Sequence, residues 1–197
     1  MVNIITVSRE FGSGGRTVAK DVAEKLGYDY YDSDIIEKIA KESGLSEKYV
    51  EDNVENSPGN SIFSMAFAGR NERGESISDM IWLAQCKVIK EIADKGKCVI
   101  VGRCADYILS DRDDVLNVFI HADPEKRIER IINVYGESNE KPEKRLAAKD
   151  KRRKTYYKFY TDRKWGDYRN YHLALDSGVM GFDKCEELII NVAESMD

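Results

Sequence analysis

The stretch SREFGSGGRT at residues 8–17 decides the fold class of this chain. It directly follows the apolar run NIITV at 3–7, which predicts a buried strand. It precedes apolar residues at helical spacing that end at Leu26, where Gly27 supplies a stop signal. Glycines allow positive φ, so several backbone N–H groups can point into one concavity. Because the start of a helix adds its dipole to such a site, this order of strand, turn and helix predicts a phosphate-binding loop.

The loop departs from the common nucleotide-binding pattern GxxxxGK[ST] at two positions. Glu10 stands where the pattern has its first glycine, and Arg16 stands where it has lysine. Arg16 keeps the positive charge but spreads it over a planar fork. Thr17 is placed to offer a hydroxyl to Mg²⁺. The motif therefore predicts a site for a polyphosphate, with a purely structural glycine turn as the alternative.

The remainder of the chain alternates between predicted strands and helices. Further strands are predicted at 28–31, 98–102, 115–120 and 172–175. Helices are predicted after a cap at Ser33 or Asp34, at 46–55, at 78–94, after Asp123, at 142–161, and after a capping box of Asp183 and Glu186. This alternation predicts one α/β domain over residues 1–197, a three-layer, doubly wound fold with a five-stranded parallel sheet. Ligands of such sheets bind beyond the carboxyl ends of the strands.

Two segments are predicted to cover that edge of the sheet. The first is an acceptor-side flap at about 44–75, because residues 57–75 are rich in Gly, Ser and Asn. The second is a helical lid at about 141–166, which has eleven Lys and Arg against three Asp and Glu between residues 141 and 164. We expect this lid to be mobile until both substrates bind. The residues predicted to share one side of its helix are Lys149, Arg152, Arg153, Tyr156 and Tyr160.

The composition and charge of the chain argue against several classes of protein. No run approaches the roughly 20 apolar residues of a membrane span, and the start of the sequence does not resemble a signal peptide. We therefore expect a cytoplasmic protein with no membrane partner. The net charge of −5 argues against a protein that coats nucleic acid. The four cysteines form no CxxC pair, so reduced thiols are expected, and His121 and His172 are interpreted as structural.

At the level of whole segments, the sequence resembles the nucleoside monophosphate kinases, and most closely the cytidylate-kinase-like family. The likeness rests on the SREFGSGGR loop within residues 5–36, VIVGRCADYIL at 99–109, LNVFIHADPEKRIERI at 116–131, and KDKRRKTYYKFYTDRKWGD with NYHLALDSG at 149–178. It implies a P-loop kinase fold, ATP and Mg²⁺ as cofactors, and transfer of the γ-phosphate of ATP to a small acceptor. A nucleoside monophosphate such as CMP or dCMP is the expected acceptor.

The resemblance also implies roles for individual residues. Asp32 would lie beside the acceptor, and Arg103 would hold its phosphate, although the family's next residue, an Asp, is Cys104 here. In the lid, Asp150 would belong to the substrate site, and Arg153 would be catalytic together with Arg16. Thr17 would be the metal ligand, and the sequence departs from the family's pattern in having no clear Asp at the end of the third strand. The donor phosphates would be held by Gly12, Ser13, Gly14, Gly15, Arg16 and Thr17.

Four other interpretations remain open at this point. Residues 39–50 have the turn glycine of a helix-turn-helix, but the second helix carries acidic residues that would repel DNA. The basic helix with its tyrosines could bind single-stranded nucleic acid, or could be a solvated face with tyrosines packed inward. For Arg103, a salt bridge to Asp106 is the alternative. The changed loop also allows a nucleotide-binding regulatory protein without turnover.

Overall fold

A computed structural model describes residues 2–53, 76–136 and 140–196 of the chain. Among these residues, one parallel sheet contains β1 (Ile4–Arg9), β2 (Asp29–Tyr31), β3 (Cys98–Val101), β4 (Val115–His121) and β5 (Leu173–Asp176). Its strand order is β2-β3-β1-β4-β5, so β1 lies at the centre. The predicted doubly wound parallel sheet is confirmed.

Helices cover both faces of the sheet. They are α1 (Gly15–Leu26), α2 (Ile35–Ser43), α3 (Glu47–Asn53), α4 (Ile77–Lys95), α5 (Ala105–Ile108), α6 (Pro124–Tyr135), α7 (Pro142–Thr161), α8 (Ser177–Met180) and α9 (Phe182–Ser195). Helices α1 and α9 bury their apolar sides in one core. Helices α2, α4 and α7 contribute to the other core, on the opposite face. This is the expected three-layer arrangement.

The burial of each strand follows from its place in the sheet. Every residue of the central strand β1 and of β3 is buried, because both faces of these strands are covered. The edge strands β2 and β5 are only partly buried. The apolar runs that predicted β3 and β4 are therefore typical of strands between two helical layers. The carboxyl ends of β1 and β3 meet at the same edge, which brings residues 9 and 102 together.

Helix termini show where sequence reasoning was right and where it was wrong. Asp123 caps α6 by accepting a hydrogen bond from the N–H of Glu125, as predicted. The capping box predicted for the last helix is wrong: α9 begins at Phe182, after Gly181, without a side-chain cap. Glu186 is instead buried, and its carboxylate accepts a 2.6 Å bond from Lys25 Nζ of α1. Glu186 thus makes a long-range ion pair in place of the predicted local capping hydrogen bonds.

The structure also bears on the predictions for the cysteines, the helix-turn-helix alternative and the flap. The described cysteines, all four of the chain, are free thiols. Helices α2 and α3, the helix-turn-helix alternative, bury Ile35, Ile39 and Val50 in a domain core. Of the predicted flap, residues 54–75 lie outside the described residues. Among the helices that the structure describes, none is long and apolar enough to span a membrane.

Candidate functional site

The predicted phosphate loop connects β1 to α1 at the centre of the sheet. Gly14 occupies the N-cap of α1 with φ +79°, a conformation that favours glycine. The Ser13 hydroxyl bonds the carbonyls of Glu10 (2.9 Å) and Ile120 (3.1 Å), which fixes the loop to β4. The loop cavity, of about 140 Å³, is lined by Arg9, Glu10, Phe11, Gly12, Gly14, Gly15, Arg16, Lys149 and Arg153. A positive helix end and several cations thus surround one concavity.

The carboxylate of Asp150 stabilises the phosphate loop. One carboxylate oxygen accepts a 2.8 Å bond from the N–H of Phe11, and the other accepts a 2.7 Å bond from Arg127. Arg127 also donates to the carbonyl of Phe11 and lies 3.5 Å from the Glu10 carboxylate. Because both oxygens of Asp150 accept bonds from the protein, these contacts suit a positioning role. Direct contact of Asp150 with a substrate stays a prediction.

Arg16 and Asp32, predicted for opposite substrates, lie in contact. Arg16 Nε is 2.6 Å from Asp32 Oδ2, and Arg9 Nη2 is 3.6 Å from Asp32 Oδ1. Arg16 is about half exposed, whereas Asp32 is buried. Since the ion pair with Asp32 uses Nε, the two terminal nitrogens of Arg16 can still meet a phosphate as a fork. A lysine at this position would have one ammonium for both partners.

Thr17 lies on the first turn of α1. Its hydroxyl accepts a 2.9 Å bond from Arg130, whose guanidinium lies 4.6 Å from the ring centroid of Phe182. A hydroxyl has two lone pairs, so one remains for a metal ion. Within the described residues no three His, Cys, Asp or Glu side chains form a metal cage. Thr17 therefore fits a Mg²⁺ ion that takes most of its ligands from phosphates and water.

Arg103 follows β3 in the left-handed conformation, with φ +58°. Its carbonyl accepts a 3.0 Å bond from the fully buried Gln85, which fixes the backbone. Its Nη1 atom is buried without a hydrogen-bond partner among the described residues. The alternative salt bridge to Asp106 is not formed there: the Asp106 carboxylate accepts a 2.6 Å bond from Tyr157. A buried donor of this kind favours an anionic partner.

Two cavities meet at Arg103. The narrow cavity, of about 30 Å³, is lined by Ser8, Arg9, Gly102, Arg103, Cys104, Arg153, Tyr156, Tyr157 and Trp165. The open cavity, of about 510 Å³, is lined by Arg16, Ser33, Ile36, Glu51, Asp52, Arg103, Lys149 and Arg152. The open cavity shares Arg16 and Lys149 with the loop cavity. Its wall contains four positively charged side chains and two carboxylates.

A further cavity that sequence reasoning missed lies on the other side of the loop. This far cavity, of about 310 Å³, is lined by Gly12, Ser13, Ala122, Lys126, Glu129, Arg130, Asn133, Val134, Ser177, Gly178 and Phe182. The Ser177 hydroxyl joins the loop to β4 through the carbonyls of Ser13 (2.6 Å) and His121 (3.0 Å). The spacing of Lys126 and Arg130, one turn apart in the helix after β4, was the signal available in the sequence.

The side predicted for the basic helix α7 contains residues that line cavities and residues that pack inward. Lys149, Arg152 and Arg153 line cavities, Tyr156 is buried, and Tyr160 stacks on Trp82 with ring centroids 4.3 Å apart. Arg153 also donates a 3.1 Å bond to the carbonyl of Arg9. From Asp150 onward, buried residues pack the helix against the core. A closing movement of the lid would therefore be concentrated in the residues before Asp150. The mobility of this segment stays a prediction.

The Asp106–Tyr157 pair anchors α7 and gives a pH-dependent stability. Burial raises the pKa of Asp106 from its ordinary value near 3.8 to about 6, partly offset by the bond from Tyr157. A raised acid pKa favours the protonated folded state. Asp106 therefore contributes about 1 kcal/mol at pH 5 that is lost by pH 8. We expect Asp106→Asn to remove this contribution in urea unfolding at the two pH values, and an unchanged pH dependence would contradict the assignment.

The comparison with protein families decides the classification. A family model described as "Cytidylate kinase-like family" matches residues 4–179. This chain belongs to the cytidylate kinase-like family. The matched range contains the loop, Arg103, and Asp150 and Arg153 of α7, so the resemblance drawn from the sequence is confirmed.

Members and structural neighbours agree with this membership in the cytidylate kinase-like family. A protein named cytidylate kinase from Archaeoglobus fulgidus is 32% identical over 194 residues, which cover 96% of this chain and 94% of that protein. An uncharacterised protein from Eubacterium ventriosum has a solved structure with a TM-score of 0.74 at 28% identity, covering 99% of both chains. A shikimate kinase from Acinetobacter baumannii, in complex with shikimate, has a TM-score of 0.55 at 16% identity over 99% of this chain and 94% of that one. This last likeness concerns the fold alone.

Proposed function

We propose that this protein transfers the γ-phosphoryl group of ATP to a nucleoside monophosphate, with CMP or dCMP as the preferred acceptor. One observation carries the proposal: the loop cavity and the open cavity share Arg16 and Lys149. Phosphates bound in the two cavities would meet between these cations. Phosphoryl transfer needs mainly such alignment and positive charge, and little covalent chemistry from the protein.

The donor side suits a nucleoside triphosphate. The far cavity shares Gly12 with the loop cavity, so a ligand whose phosphates follow the loop can extend into it. Phe182 and Val134 give this cavity apolar surface for a base, and Lys126 and Arg130 add positive charge. Membership in a kinase family supports ATP as that ligand.

Magnesium would enter with the nucleotide. Thr17 is the protein oxygen that would hold it, since its hydroxyl retains one lone pair beside the loop. When bound, Mg²⁺ would neutralise negative charge that develops on the phosphates during transfer. Arg16 would bind the same phosphates while Asp32 orients it through Nε. Asp150 would keep the loop in place through the N–H of Phe11.

The acceptor side suits a small molecule with a phosphate at one end and hydrogen-bond donors at the other. Arg103 would take the phosphate, because it lines the open cavity and its buried Nη1 has no hydrogen-bond partner among the described residues. Glu51 and Asp52 lie in the same wall and, when ionised, only accept hydrogen bonds. The 4-amino group of cytosine is a donor, whereas uracil has a carbonyl there. Carboxylates at this end therefore favour CMP or dCMP over UMP.

The charge at Glu51 gives a test of this base preference. We expect Glu51→Gln to lower the ratio of kcat/KM for CMP to that for UMP by about 10-fold, because the amide can also donate to the uracil carbonyl. Glu37→Gln, at an exposed position of α2 outside the lining of the open cavity, is the matched control. An unchanged ratio in Glu51→Gln would place base recognition elsewhere.

The proposed function is tested by measuring ADP release from ATP and Mg²⁺ with CMP, dCMP, UMP, AMP, GMP and shikimate as acceptors. We expect CMP or dCMP to exceed the other acceptors in kcat/KM by at least about 100-fold. ATP binding with turnover of none of these acceptors would favour a regulatory protein. Preferred turnover of shikimate would retain the kinase and overturn the acceptor.

A further inference from the structure

Arg9 is a charged residue buried at the centre of the sheet, and the proposed function leaves it without a role. It ends β1, directly before the phosphate loop, and is only 8% exposed. Burying an arginine is costly unless its charge is used. Asp32 lies 3.6 Å from Arg9 and 2.6 Å from Arg16, so one carboxylate contacts both arginines.

Two glycines make room for Arg9. A Cβ added to Gly15 would lie 2.5 Å from the Cβ of Arg9. A Cβ added to Gly102, which follows β3, would collide with the Arg9 guanidinium. Side chains at either position would therefore displace Arg9. The loop after β1 and the loop after β3 are both shaped around this one side chain.

Arg9 lines both the loop cavity and the narrow cavity. Arg9 and Arg153 are the residues that these two cavities have in common in their described linings. Arg103, the proposed acceptor-phosphate ligand, lines the narrow cavity and also the open cavity. Arg9 is therefore close both to the phosphate loop and to the residue proposed to hold the acceptor phosphate.

We propose that Arg9 is a catalytic residue that contacts the phosphoryl group during transfer, with Asp32 positioning it; this rests on the proposed function. An oxygen of the acceptor monophosphate attacks the γ-phosphorus of ATP. The bond from that phosphorus to the β–γ bridging oxygen breaks, and its electron pair stays on the ADP oxygen. No proton has to be removed, because the attacking oxygen is already anionic. The products are ADP and a nucleoside diphosphate, and Arg9 stabilises negative charge on the transferring group.

The test separates transition-state contact from structural support. We expect Arg9→Gln to lower kcat about 30-fold with both KM values changed less than about 3-fold. ADP affinity should be retained, while binding of ADP with aluminium fluoride and CMP, which mimics the transferring group, should weaken by a similar factor of about 30. Arg112→Gln is the matched control, because Arg112 pairs with Asp94 and Asp114 at the opposite end of the sheet. This control should leave kcat unchanged.

Each outcome decides the inference. Equal losses in ADP affinity and in the aluminium fluoride complex would make Arg9 a structural residue and overturn the proposal. If the wild type turns over an acceptor and Arg9→Gln has an unchanged kcat, the inference alone is overturned. If the wild type turns over no acceptor, the proposed function and the inference are both overturned. If Arg9→Gln fails to fold, Arg9→Lys decides: a kcat loss of about 5-fold or more at normal ADP affinity supports the role, and a normal kcat overturns it.

Discussion

Replacing Arg16 by alanine is expected to lower kcat/KM for ATP at least about 100-fold, roughly 3 kcal/mol of transition-state stabilisation. Arg16 is the cation of the loop that corresponds to the usual lysine, and its terminal nitrogens are not used by the bond to Asp32. The measurement is steady-state kinetics with ATP varied at saturating CMP. The fall should lie mainly in kcat, because charge on the phosphates grows during transfer.

Two companion variants sharpen this result. Arg16→Lys restores the common motif but cannot bond Asp32 and a phosphate as a fork, so we expect partial activity. Lys20→Ala removes an exposed cation one turn further along α1 and should leave kcat/KM within about 2-fold, since exposed charges in water act weakly at a distance. Near-normal turnover in Arg16→Ala would exclude Arg16 as the donor-phosphate cation.

Arg103→Ala should raise the KM for CMP about 100-fold and change the KM for ATP by no more than a few-fold. A guanidinium binds a phosphate through charge-assisted bonds, each of which contributes about 1.5–3 kcal/mol. The backbone contact from Gln85 to the Arg103 carbonyl does not depend on the side chain, so the fold should be retained. Competition of CMP with a fluorescent acceptor analogue would measure the affinity directly.

The surface arginine Arg112 again gives the control, because Arg112→Ala removes a guanidinium of the same size far from the cavities. Thermal unfolding of both variants checks that folding is retained. Equal rises in the KM values for ATP and CMP in Arg103→Ala would mean that Arg103 shapes the whole site and does not hold the acceptor phosphate.

Local features of the sequence predicted the elements well wherever neighbouring residues decide the structure. The basic helix was predicted at 142–161 and spans Pro142–Thr161. Gly27 ends α1 in the left-handed conformation expected of a glycine stop signal. The apolar runs of β3 and β4 predicted strands covered on both faces. These properties depend on side-chain period, proline and glycine, which act over a few residues.

The resemblance of whole segments predicted more than periodicity did. It named the family, which the match over residues 4–179 confirms. It also selected Arg16, Asp32, Arg103 and Arg153, which the structure gathers at the carboxyl edge of the sheet. Their individual roles, like that of Asp150, stay predictions.

Only the tertiary structure determines which residues pair with the charged side chains. Glu186 looked like a local cap, yet it pairs with Lys25, 161 positions away. Asp150, whose place in the substrate site stays a prediction, accepts a bond from the N–H of Phe11 across 139 positions. Arg9, part of the predicted loop motif, ends β1 and lies between two glycines at the junction of two cavities. The physical reason is that periodicity reports which face of an element is buried, whereas the partner of a buried charge depends on the strand order β2-β3-β1-β4-β5, which brings distant segments to one edge.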